Sequence, residues 1–267
     1  MNSKGQIIIT DLFFYLIIVT IILSIVIYSF SMINDNQVEN IQISTINQVL
    51  EDFTQTLMSE GIPDNWNENN EIIQIGLAVN NNSNKISYQK LKRLKENTYL
   101  LDKYFPEGIK YSVYLEPINK SQEEINIIRS DLGKNVYHKT RTVILDYGYE
   151  ITPINSEIIC PLNHTENYNC IYLNINKTSL NEGKYYMVSK NNINYSLSNT
   201  YNEIITSNDN ELNNNFNQLL HEDEDTICIH ISNNNETYLV YDKFNQRNNL
   251  NSVLNPDIYV LHVEVST

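Results

Sequence analysis

The side chains best suited to chemistry in this chain are five histidines, three cysteines and one acidic run. No two histidines stand in the His-x-x-x-His spacing of a metal helix, and the seven glycines form neither a phosphate-binding loop nor a Gly-x-Ser-x-Gly turn. His230 and His262 alternate with apolar residues, which indicates positions within strands. The sequence therefore predicts a protein that is not an enzyme and has no cofactor.

The acidic run His221–Asp225 could supply oxygen ligands to calcium. An EF-hand loop spaces such ligands around a central glycine, and this run has neither the spacing nor the glycine. The run also follows the end of a predicted helix, where carboxylates are readily hydrated. We expect a solvated acidic loop and no metal site.

Cys160 and Cys170 flank a nine-residue segment that contains Pro161. A disulfide between them would add about 2–3 kcal/mol of stability in an oxidising compartment. The alternative is a pair of buried thiols without a bridge. Metal binding is not indicated, because the chain has no Cys-x-x-Cys pair. Cys228 alternates like a strand residue and is predicted to be a buried thiol.

The element that must position everything else is an apolar run from Leu12 to Phe30. It carries no charge, and its polar residues are Thr20, Ser24 and Ser29. Nineteen helical residues span about 28 Å, close to the ~30 Å hydrocarbon core of a bilayer. We therefore expect a single membrane-spanning helix near the N-terminus, with a polar body after it.

Charges flanking the run predict its orientation. Lys4 precedes it, and the next Lys or Arg is Lys85, whereas acidic residues dominate the downstream flank. Because positive charge stays on the cytoplasmic side, the N-terminus is expected inside the cell and the body outside. The alternative is a cleaved secretory signal, but this run exceeds the usual core of about 7–15 residues. Ser29-Phe30-Ser31 also makes a poor small-x-small cleavage site.

The order Lys4-Gly5, then Gln6, then the apolar run resembles the class III signal peptide of archaeal type IV pilin-like proteins. The resemblance implies a leader over residues 1–5 that a prepilin-type peptidase removes after Gly5. Gln6 would become the mature N-terminus, and residues 6–30 would be kept as the transmembrane helix. It further implies other pilin-like subunits, or copies of this chain, as partners.

One departure from that family concerns subunit pairing. Most members carry an acidic residue at the fifth mature position, whereas this chain has Thr10 there and Asp11 one position later. Asp11 could pair with the terminal amine of a neighbouring subunit. Alternatively, it is a carboxylate at the cytoplasmic interface that reaches water, since burial at the bilayer centre costs about 2–3 kcal/mol.

The overall charge excludes one class of partner. The chain has 18 Lys and Arg against 32 Asp and Glu, for a net charge of −14 and a pI near 4.7. Nucleic acid binding needs cationic side chains that neutralise phosphates, so we expect no nucleic acid partner. An acidic surface suits a hydrated extracellular body.

The remaining pattern predicts an α+β fold. Apolar spacing from Val38 to Leu57, with no Gly or Pro before Gly61, predicts an amphipathic helical stalk over 31–60, continuous with the membrane helix from about Ile7 to Ser59. Trp66 and Leu77 are expected to close the junction between the stalk and the first strand. Further helices are predicted over Ser87–Leu101 and Asn202–Leu220.

Alternating residues from Lys110 onward predict mainly antiparallel strands. The predicted strands lie around 111–115, 136–138, 143–147, 171–175, 185–187, 227–231, 239–241 and 258–262. The β-rich extracellular body over 61–267 is expected to be one domain, or two with a boundary near residue 120.

Two functions fit these predictions. The first is a type IV pilin-like surface protein, a subunit or minor component of an extracellular filament with an adhesive outer surface. The second is a permanently tethered envelope protein that binds a surface layer, a glycan or a partner protein and never polymerises. In both, the chain is a single-pass protein of the cell membrane.

Overall fold

The computed structural model describes residues 3–69, 71–80, 82–154, 169–191, 193–200, 202–206, 212–231, 236–245 and 249–266. Its first element is helix α1, Ser3–Leu57, which is 55 residues long. No proline interrupts it, and its only glycine is Gly5, in the first turn. The predicted continuous helix is therefore confirmed, although it begins at Ser3 rather than near Ile7.

The rest of the described chain is dominated by short strands. The thirteen strands are β1 Ala78–Val79, β2 Asn82–Ser87, β3 Lys110–Pro117, β4 Ile125–Ile128, β5 Val136–Asp146, β6 Glu150–Pro153, β7 Asn169–Asn176, β8 Lys184–Ser189, β9 Tyr195–Ser198, β10 Glu203–Thr206, β11 Glu224–Ile231, β12 Thr237–Asp242 and β13 Ile258–Ser266. The other helices among the described residues are α2 Tyr88–Glu96, α3 Lys177–Glu182 and α4 Leu212–Leu219, with 3-10 helices over Thr98–Tyr104 and Leu250–Val253.

These strands form three sheets. The six-stranded sheet has the order β1-β2-β5-β13-β3-β4, the four-stranded sheet β10-β9-β11-β7, and the three-stranded sheet β6-β12-β8. Strand pairs are antiparallel except β2 with β5, which run parallel. The predicted α+β class with mainly antiparallel sheets is confirmed, and each predicted strand lies within or overlaps an observed one.

The C-terminal turns of α1 pack against the six-stranded sheet. Ile46, Leu50, Phe53 and Leu57 are buried at helical spacing, and they join one hydrophobic cluster with residues of β3, β5 and β13. Burying each side chain contributes about 1.5–3 kcal/mol. Glu51 reinforces the same contact, because its carboxylate pairs with Lys139 and Arg141 of β5. The stalk is thus part of the core.

The junction after α1 is closed as the sequence predicts. Trp66 and Leu77 are both fully buried. The Trp66 indole Nε1 donates to the Gly76 carbonyl at 2.6 Å, and the Leu77 amide donates to the Leu57 carbonyl at 2.8 Å. A side chain at Gly76 would collide with the backbone of Ser59, so glycine permits this close approach.

Strands β6 to β12 lie between β5 and β13 in sequence, although β5 and β13 are neighbours in the six-stranded sheet. The inserted strands have their own hydrophobic cluster, built from β7, β9, β11, α4 and one face of β8 and β12. Residue 120 lies between β3 and β4, two paired strands of the first sheet. The predicted division near that residue stays a prediction.

Two predicted helices differ from the structure. The helix expected over Asn202–Leu220 is wrong in its first part, since Glu203–Thr206 forms β10, and its helical part among the described residues is Leu212–Leu219. The isoleucines of β10 pair with β9, which suits β-branched side chains. The helix expected over Ser87–Leu101 is interrupted at Asn97, whose φ of −130° and ψ of 56° are not helical.

Candidate functional site

The most exposed apolar surface in the described chain lies on the N-terminal half of α1. Residues Leu12–Ile33 form a 22-residue stretch, none of it buried, that is long and apolar enough to cross a membrane. At 1.5 Å per residue it spans about 33 Å, against ~30 Å for a hydrocarbon core.

Apolar side chains are exposed around the full circumference of this stretch. Phe13 is 64 % exposed, Val26 43 % and Tyr28 71 %. A helix that is apolar all round belongs in a bilayer or in the centre of a helix assembly, not against one face of a globular body. We call Leu12–Ile33 the apolar rod.

Two hydroxyl groups within the apolar rod are satisfied by the helix itself. Thr20 Oγ1 donates to the Leu16 carbonyl at 2.7 Å, and Ser24 Oγ donates to the Thr20 carbonyl at 2.8 Å. Helical backbone groups are paired internally as well. The rod can therefore enter hydrocarbon without leaving these polar groups unpaired.

The character of α1 changes along its length. The rod ends at Ile33, and among the side chains that the structure describes the first buried apolar one is Ile46, about 20 Å further along the helix axis. From Ile46 to Leu57, α1 buries one face against the six-stranded sheet. The predicted boundaries of a span over 6–30 and a stalk over 31–60 stay predictions.

The residues predicted for processing and pairing lie at the start of this helix. Lys4, Gly5, Gln6 and Asp11 belong to the first turns of α1, and their side chains fall outside the described part of the structure. Cleavage after Gly5 and pairing through Asp11 stay predictions. The backbone of Gly5 lies within helix α1.

The predicted disulfide partner Cys160 lies outside the described residues, so its bridge to Cys170 also stays a prediction. Cys170 is 2 % exposed in β7, and its Sγ lies 3.2 Å from Nδ1 of His230 in β11. The other ring nitrogen, Nε2, is 2.7 Å from Ser198 Oγ in β9. Cys228 Sγ is 3.9 Å from Nδ1.

Sequence reasoning placed His230 and Cys228 in a strand, which is confirmed, but missed this polar cluster. The alternation puts both on one face of β11, opposite the isoleucines that face α4. Their neighbours Cys170 and Ser198 lie in β7 and β9. Identifying these neighbours requires the pairing register of the sheet, which the sequence alone does not give. The imidazole is fully buried, so a substrate cannot approach it from solvent.

The acidic run is largely solvated, as predicted. Glu222 and Asp223 are exposed, and Asp223 pairs with Lys177 at 3.1 Å. Glu224 and Asp225 differ from the predicted loop because they begin β11. Within the described residues, no three or more His, Cys, Asp and Glu side chains are arranged to hold a metal ion.

Comparison of the chain with protein-family models, with curated protein sequences and with solved structures found no match. The apolar rod and the docked stalk therefore carry the functional interpretation.

Proposed function

We propose that this chain is a membrane-anchored, type IV pilin-like subunit of an extracellular filament. The observation that carries the proposal is one uninterrupted helix with two environments. The apolar rod is uncovered on all sides, whereas the stalk is docked on the six-stranded sheet.

In the proposed mechanism the helix has a mechanical role. Before assembly the apolar rod lies in the bilayer, with Lys4 on the cytoplasmic side and the acidic body outside. During assembly the rods leave the lipid and pack against one another, burying the surface that previously faced hydrocarbon. Both environments remove the same apolar area from water, at about 25 cal/mol per Å2.

The proposal is tested by blocking removal of the leader. In Gly5→Leu, the bulky side chain should stop the peptidase, so that the protein keeps residues 1–5 and is missing from sheared filaments. Ser3→Leu, within the same leader, is the matched control and should be processed and assembled like the wild type. Normal assembly of the Gly5→Leu protein would contradict the proposal.

A second function, permanent tethering without polymerisation, is favoured by one observation. Thr10 occupies the position where the resembled family carries its pairing acid, and Asp11 stands one residue later. If Asp11 pairs subunits, Asp11→Asn should reduce the filament fraction and leave membrane anchoring intact. If the protein is only tethered, no filament fraction will form in either the wild type or the variant.

A further inference from the structure

A polar cleft of about 950 Å3 opens on the body, away from the apolar rod. Its walls come from the β3–β4 connection, the end of β8, the start of α2, the residue after β5 and the segment that leads into β13. Small-molecule sites usually measure about 300–1,000 Å3, so the cleft lies at the upper end of that range.

The floor of the cleft is organised by Asp257, which is only 3 % exposed. The Tyr147 hydroxyl donates to Oδ2 at 2.7 Å, and the Asn249 amide donates to Oδ1 and Oδ2 at 2.8 and 2.7 Å. Gln122 Nε2 also donates to Oδ1. Both carboxylate oxygens of Asp257 thus accept hydrogen bonds, and these bonds hold the side chains of Gln122 and Asn249 in place.

Gln122 carries an acceptor that these contacts leave unused. Its amide orientation is fixed, because only the NH2 group can donate to the Asp257 carboxylate. Its Oε1 is buried and has no hydrogen-bond partner among the described residues. Leaving a buried acceptor unpaired costs about 1–3 kcal/mol. A hydroxyl donor from the cleft would recover this cost only after neighbouring side chains shift, because protein atoms cover Oε1.

The rest of the lining is mostly uncharged, with aromatic, aliphatic and amide side chains, and its two charged residues are Glu123 and Lys190. Tyr88 and Tyr147 lie side by side with ring centroids 5.1 Å apart. Asn251 and Asn255 add exposed amides at the mouth of the cleft. Lys190 lines the cleft too, but its ammonium already pairs with Glu236 at 3.1 Å.

From this geometry we propose that the cleft binds a neutral oligosaccharide. Sugar hydroxyls donate to and accept from amides, and the C–H face of a sugar ring can pack against the half-buried ring of Tyr88. A phosphorylated or sulfated ligand would find no uncommitted cation among the described lining residues, in a protein of net charge −14. This inference goes beyond the filament proposal and does not depend on whether the chain polymerises.

The experiment uses the full chain in a detergent without a sugar headgroup. It measures binding to immobilised neutral oligosaccharides of glucose, galactose, mannose or N-acetylhexosamine, alongside sialylated and sulfated counterparts. We expect binding to at least one neutral probe, weakened about tenfold or more by Gln122→Leu. Because that variant also removes a donor to Asp257, the exposed double variant Asn251→Ala with Asn255→Ala is tested in parallel and should weaken the same probe.

Asn84→Ala is the matched control, since this exposed asparagine of β2 lies outside the cleft. It should bind the probe like the wild type. The proposal is overturned if no neutral probe binds, if binding is confined to the charged probes, or if the double variant and the control bind equally well.

Discussion

A single buried carboxylate shows how individual residues hold this body together. Asp257 accepts hydrogen bonds from three side chains contributed by separate parts of the chain, Gln122, Tyr147 and Asn249. A buried charge is tolerated only when it is compensated in this way. Residues far apart in sequence are thereby tied to the segment before β13.

Removing one donor should therefore destabilise the body. Tyr147→Phe keeps the buried ring but leaves Asp257 without its hydroxyl donor, and we expect the free energy of unfolding to fall by about 1–3 kcal/mol. Tyr99→Phe is the control, because Tyr99 is 66 % exposed and its hydroxyl should contribute little. Urea unfolding at neutral pH measures both. Equal stability of the two variants would contradict this role for Tyr147.

The same hydroxyl predicts a loss of stability at alkaline pH. Burial, and then the hydrogen bond to Asp257, raise the pKa of Tyr147 above its ordinary value of 10.0. Tyr147 therefore ionises at a lower pH in the unfolded chain than in the folded protein. The stability that its hydroxyl contributes is complete below pH 10 and is lost as the pH rises above that value. Urea unfolding at pH 8, 10 and 11 should show a steeper decline for the wild type than for Tyr147→Phe. Parallel declines would contradict the prediction.

At the scale of elements, the docked part of α1 should contribute to the free energy of unfolding of the body as much as any strand. Phe53 is 2 % exposed and contacts the rings of Tyr104 and Phe105. Phe53→Ala should lower the free energy of unfolding by about 3–5 kcal/mol through lost contacts and a cavity. The variant should still partition into membranes, because the apolar rod is unchanged.

Gln55→Ala is the control for this prediction, since Gln55 is exposed on the opposite side of the same helical turn. Chemical unfolding followed by tyrosine and tryptophan fluorescence compares the two variants. A stable Phe53→Ala protein would mean that the stalk is not part of the core.

Local periodicity predicted most elements correctly. The continuous α1 followed from the apolar spacing around Ile46, Leu50 and Phe53, and the strands followed from alternation. The failure at Ile204 has a physical cause, because two adjacent isoleucines suit a helix face or a strand equally well until β9 is available to pair with them. Pairing partners are set by the whole sheet.

What local patterns could not predict is how distant segments meet. The parallel pairing of β2 with β5 and the insertion of β6–β12 between neighbouring strands depend on chain topology. The cleft depends on it too, because Gln122, Tyr147 and Asp257 come from three separate connections. The apolar rod, in contrast, is visible in the sequence because its signal is contiguous.

At the scale of the whole molecule, our proposals give two surfaces separate tasks. In them the apolar rod serves anchoring and assembly, while the body carries the polar cleft. The stalk between them is continuous helix with no glycine or proline up to its docked end, so movement of one subunit's rod would be transmitted to its body. This division suits a surface subunit that is held at one end and makes contacts at the other.

The most direct test is the intact mass and N-terminal sequence of the natural protein from membrane and filament fractions. Our account predicts a chain that begins at Gln6 and keeps the whole apolar rod in both fractions. A functional, freely soluble form that begins downstream of Ser31 would contradict it, because neither anchoring nor helix assembly could then occur.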